Sequence, residues 1–87
     1  MTDLSNPRLK RLMYLSQRRG TQENDLLLGR FAESHLAAFT SYELDQYEAL
    51  LEVEDLDLFN WIARRTPPAP SYDTPVLWMI IHFNETN

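Results

Sequence analysis

The stretch FTSYELDQYEALL, residues 39–51, decides how this chain folds. Thr40 followed by Glu43 has the spacing of a capping box, in which each side chain satisfies a backbone N–H that the first helical turn leaves without a partner. Phe39 before the cap and Leu44 after it are placed as a hydrophobic staple. Leu44, Tyr47, Leu50 and Leu51 then recur at the period of a helix buried along one face.

Toward the N-terminus, Leu27, Leu28, Phe31, His35, Leu36 and Phe39 keep the same period, which predicts the longest helix of the chain. Thr21 can cap it, and Glu23 and Asp25 in its first turn suit the positive end of the helix dipole. Further upstream, Asn6 and Pro7 read as cap and first helical residue, followed by Leu9, Leu12, Met13 and Ser16 on one face. Arg18 and Arg19 complement a helix C-terminus, and Gly20 is suited to the left-handed exit, so this first helix is predicted to end at Gly20.

Toward the C-terminus, Glu52, Glu54, Asp55 and Asp57 interrupt the apolar stripe before Leu58, Phe59, Trp61 and Ile62. This reads as a tight turn and a short fourth helix ending near Arg65. Pro67, Pro68 and Pro70 forbid continuation, so residues 66–73 read as an extended, proline-rich linker. Thr74 and Pro75 repeat the cap-plus-proline signal before Val76, Leu77, Trp78, Ile80 and Ile81. The run VLWMII, residues 76–81, also suits a strand, but no second run of that kind exists to pair with it.

The expected fold is all-α: one small five-helix bundle, a single domain over residues 1–87, with residues 1–6 a flexible N-terminus. At 87 residues, 44% of them hydrophobic and only two glycine, the chain has material for one core and is not disordered in composition. No repeat at solenoid spacing is present.

Charge is unevenly distributed. Residues 1–19 carry five cations against Asp3, a net +4, and the remainder opposes twelve carboxylates with Arg30, Arg64 and Arg65, a net −9. An acidic body repels phosphate, so nucleic acid is not an expected partner. No apolar run reaches the ~20 residues of a membrane span, and MTDLSNPRLK resembles neither a signal peptide nor an Arg-rich transit peptide. The expected location is the cytoplasm, with the mitochondrial matrix as the alternative for a trimmed form.

Chemistry is sparse. There is no cysteine, which suits a reducing compartment and removes thiolate ligands and nucleophiles. His35 and His82 lie in separate helices with no metal-ligand spacing, and each reads as a core or edge residue. The carboxylates are scattered without a distinguished pair, and Gly20 and Gly29 form no phosphate loop. No catalytic residue, metal site or tightly bound cofactor is expected.

Two clusters stand out. In Arg18-Arg19-Gly20-Thr21-Gln22-Glu23, a cationic helix end meets an acidic helix start. This is either simple capping at both ends or a polar recognition tip presenting Arg19 and Glu23, with Gly20 permitting close approach. In Asp55-Leu56-Asp57-Leu58-Phe59-Asn60-Trp61, two large rings on one short helix cannot both face the core, so one of Phe59 and Trp61 is expected to stay partly exposed. That ring is either a partner anchor or an amphipathic edge residue.

These residues also carry a family resemblance. Arg11-Leu12-Met13-Tyr14, Ser16, Arg18 through Glu23, and Asp25 through Ala32 resemble the succinate dehydrogenase assembly factors that promote flavinylation. Their hallmark RGxxE is here Arg19, Gly20 and Glu23. Asp57-Leu58-Phe59-Asn60-Trp61 looks like the family's second signature. The resemblance runs from about Arg8 to Ile62 and thins beyond.

It implies a five-helix chaperone that docks on the flavoprotein subunit of succinate dehydrogenase, and in bacteria also of fumarate reductase. The subunit itself joins one of its histidines to a methyl group of FAD; the factor acts on the partner's FAD without being an enzyme and is expected to be a monomer when free. Arg19, Gly20 and Glu23 would form the docking motif, flanked by Arg18, Asp57, Phe59 and Trp61. A generic acidic helical adaptor for a basic partner is the competing reading, and a small acid–base enzyme ranks behind both.

Overall fold

The structure is a computed structural model that describes residues 6–18 and 22–86, apart from the side chains of Gln22, Glu23 and Thr86. Among the described residues there are five α-helices: α1 (Pro7–Ser16), α2 (Gln22–His35), α3 (Ser41–Leu51), α4 (Asp55–Ile62) and α5 (Pro75–Thr86). Two 3-10 turns, Leu36–Ala38 and Pro70–Tyr72, complete the order, and no strand is present among these residues.

The helix starts follow the local cap signals. Asn6 Oδ1 accepts from the N–H groups of Arg8 and Leu9 at 2.9 and 3.4 Å. The Thr40–Glu43 box closes in both directions, at 2.9 and 3.2 Å. Thr74 Oγ1 accepts from Leu77 N–H at 3.3 Å, and the strand-compatible VLWMII run lies inside α5.

The helix ends depart from expectation. The first helix stops at Ser16 rather than Gly20. Buried Ser16 donates its hydroxyl back to Leu12 O at 2.7 Å and shares a second hydrogen bond with Tyr47 Oη. The next two N–H groups, of Gln17 and Arg18, turn to the carbonyls three residues back, at 3.1 and 3.4 Å. A side chain bonded to the backbone and a tightened last turn together end the helix. Arg18 therefore follows the helix, and Arg19, Gly20 and Thr21, predicted as its end and the next cap, lie outside the described residues.

The apolar period predicts the second helix through Phe39, but the α-helical part stops at His35 and tightens into the 3-10 turn, because Phe39 must be extended to enter the Thr40 cap. Leu36 is still buried and Phe39 half-buried, so the apolar pattern is used although the helix type changes.

The fourth helix ends at Ile62, short of Arg65. Arg64 N–H bonds Trp61 O at 3.1 Å and Arg65 N–H bonds Asn60 O at 2.8 Å, the paired pattern of a Schellman cap. Its left-handed position is held by Arg64, at φ 61°, where glycine is the usual occupant. A residue with a Cβ there costs about 1–2 kcal/mol.

The linker is not extended throughout. Pro70 presets the backbone for the 3-10 turn, which Tyr72 N–H closes on Ala69 O at 2.9 Å, and the Tyr72 ring lies 5.6 Å from that of Trp61.

The core gathers Leu12, Leu28, Phe31, Tyr47, Leu50, Leu58, Leu77 and Ile80, all essentially without solvent exposure. α2 packs against α1, α4 and α5, while α3 packs against α1 and α5. Across the α1–α3 seam, Arg8 bonds Asp45 and Glu48, and Arg11 bonds Glu48 at 3.0 Å. The Asp45 hydrogen bond first, then that of Glu48, raises the Arg8 pKa above its ordinary value.

Candidate functional site

The site is built where α1 ends and where α2 and α4 begin. Arg18 is exposed just past α1, its guanidinium 5.3 Å from the Tyr14 ring centroid. Of the RGxxE positions, Arg19 and Gly20 lie outside the described residues. Glu23 is on the first turn of α2, with its side chain outside the description.

α4 carries the second cluster. Asp57 is exposed in its first turn. Phe59 is half-buried, with the Arg65 guanidinium 5.2 Å from its ring. Trp61 is only 9% exposed and packs among core residues, so of the two rings Phe59 is the one that reaches the surface. No hydrogen bond or ion pair among the described residues joins Arg18 to Asp57.

Asn24, for which no sequence pattern predicted a role, joins the helices that carry the two clusters. It is fully buried, and its Nδ2 donates to Asp55 O at 2.8 Å and to Asp55 Oδ1 at 3.2 Å. The start of α2, one residue past Glu23, is thereby fastened to the start of α4, two residues before Asp57. A signal was available: asparagine is a poor helix former, and one inside a first turn rather than at a cap calls for a tertiary partner.

Large apolar side chains remain exposed around this junction: Tyr14 in the last turn of α1, Leu26 in α2 at 54% and Leu56 in α4 at 70%.

The two histidines, separate in sequence, border one shallow groove with Trp78, Met79 and Phe83. His35 stacks on Phe31 at 4.7 Å, and His82 is exposed near Glu85. Among the described residues no three His, Asp or Glu side chains cluster as a metal site. No helix among them is long and apolar enough to cross a membrane.

The family model described as flavinator of succinate dehydrogenase matches residues 10–84 of this sequence. The chain belongs to this family. The match covers both clusters of the junction and reaches through α5, well past Ile62, where the motif resemblance thins.

Relatives named succinate dehydrogenase assembly factor 2, mitochondrial, include one from Dictyostelium discoideum, 41% identical over 73 residues that cover 84% of this chain and 52% of that protein. The corresponding protein of Candida glabrata is 47% identical over 62 residues, covering 69% and 40%. A relative from Drosophila persimilis, named assembly factor 2-B, is 40% identical over 75 residues, covering 84% and 48%. The chain thus spans about half the length of these relatives.

Proposed function

We propose that this protein is an assembly factor that docks on the flavoprotein subunit of succinate dehydrogenase and promotes covalent attachment of FAD, with the subunit itself performing the chemistry. The observation that carries this reading is the family match across residues 10–84, which includes the RGxxE positions and the α4 cluster, whose helix Asn24 fastens to the start of α2. Fumarate reductase is a second client of the same chemistry. The factor works as a monomer in the cytoplasm or the mitochondrial matrix, and the mitochondrial names of its relatives favour the matrix.

Arg19 and Glu23 contact the client through charge-assisted hydrogen bonds, and Gly20 allows close backbone approach. Arg18, Asp57, Phe59 and Trp61 flank them, with Phe59 the more exposed of the two rings. The gain comes from preorganisation: the docked factor holds the subunit where its histidine and the ring methyl of FAD can meet.

FAD is best placed in the partner. No step of the reaction is assigned to a residue of this chain.

The test is to produce the flavoprotein subunit with and without this protein, denature it, and read flavin fluorescence in the subunit's gel band. A gain that disappears in Glu23→Ala and Gly20→Arg, with helical circular dichroism intact, is expected. No gain with ample FAD and a cognate subunit would sink the reading.

A further inference from the structure

Outside the α1–α2–α4 junction, the strained end of α4 has no evident structural reason for its residue. Arg64 occupies the left-handed position of the cap, and it is the non-glycine residue with positive φ among the described residues. In return it makes an ion pair with Glu85 at 3.0 Å, in which both side chains are about half exposed, and it lies 5.7 Å from the Trp78 ring centroid. Surface contacts of this kind are screened and weak, so they do not account for placing arginine where glycine fits without strain.

The surroundings give the position a use. Arg64 and Arg65 border a cavity of about 360 Å³ whose other walls include Trp61, Trp78, Pro67 and Asp73. Asp73 accepts from Trp78 Nε1 at 2.6 Å, which turns the one carboxylate of the lining toward the indole. Arg65 has no ion pair among the described residues and lies over Phe59. From Gly20 onward the chain has three cations against twelve carboxylates, and two of the three are these adjacent arginines. An acidic body with an aromatic-walled recess that carries Arg65, unpaired among the described residues, beside Arg64 in its exposed pair with Glu85, is complementary to a carboxylate borne next to an apolar side chain.

We propose that the α4–α5 corner is a carboxylate-binding pocket for an acidic segment of the flavoprotein subunit. Arg64 and Arg65 take the carboxylate, and Trp61, Trp78 and Pro67 take the neighbouring apolar side chain. The pocket continues the docking surface, because Phe59 lies under Arg65 and shares a second, smaller cavity with Arg64 and Leu27. This inference rests on the flavoprotein subunit being the client. The strain at Arg64 is then kept for recognition, as strained backbone at binding sites commonly is.

The experiment measures affinity of the full-length protein for the purified subunit by calorimetry, and the urea midpoint of each variant. Arg64→Gly is expected to raise the midpoint, because glycine relieves the left-handed strain, and to weaken binding about tenfold. Arg65→Gln is expected to leave the midpoint unchanged and to weaken binding several-fold.

Wild-type protein that fails to bind the subunit overturns the client assignment, and this inference with it. Wild-type protein that binds while both variants bind equally tightly overturns the pocket alone. An Arg64→Gly variant that loses stability also overturns it, since Arg64 would then serve the fold.

Discussion

Asn24 and Asp55, 31 positions apart, are joined by part-buried hydrogen bonds from the side-chain amide of one to the backbone carbonyl and carboxylate of the other. The link is a tertiary register mark. It sets the azimuth of α4 against the start of α2, and with it the placement of Asp57 and Phe59 relative to the first turn of α2.

Asn24→Ala is expected to destabilise the protein by about 1–3 kcal/mol, the cost of removing a part-buried hydrogen bond and leaving its acceptor without a donor. If the bond also holds the docking surface together, flavinylation should fall further than that of a core variant matched to it in urea midpoint, such as Ile62→Val. Equal loss in the two would make Asn24 a stability residue only.

Ser16 and Tyr47 share a buried hydrogen bond between α1 and α3. Tyr47→Phe and Ser16→Ala, measured singly and together by urea unfolding, are expected to show a coupling energy of about 1 kcal/mol. Additive effects would mean that Ser16 serves Leu12 alone and that α1 is held by packing.

Gly29 lies inside α2, where a Cβ would meet Gln17 Cγ at 3.4 Å, an ordinary contact with a flexible side chain. Gly29→Ala is therefore expected to stabilise the protein by about 0.5–1 kcal/mol through helix propensity. A lower melting temperature would show that α1 packs against this point more tightly than the geometry implies.

Thr40 caps α3 with both arms of the box formed. Thr40→Ala should cost about 1 kcal/mol, seen as a lower urea midpoint at unchanged slope, with Thr40→Ser recovering most of the loss. Failure of serine to recover it would place the value of Thr40 in its methyl group.

The candidate site was legible in part. Arg19, Gly20 and Glu23 are visible as a motif because a fixed spacing at a helix corner can be read along the chain. Phe59 and Trp61 are visible as a pair, but which of them is outermost depends on the rotation of α4, which Asn24 and Tyr72 help settle from two other places in the sequence. Arg64 was legible only as a cation near a helix end; its left-handed backbone is a property of how α4 hands over to the proline-rich segment.

The sequence by itself determined where α1, α3 and α5 begin and that the protein is all-α, because caps and apolar periods act between residues three or four apart and need no partner from elsewhere. Only the tertiary structure decided where those helices stop, which aromatic ring reaches solvent and which buried polar groups meet. Ser16 ends α1 where it meets Tyr47, and Asn24 becomes a clamp where it meets Asp55, each pair 31 residues apart. Such bonds exist once packing has removed water from both partners, and no local pattern specifies which partner will be there.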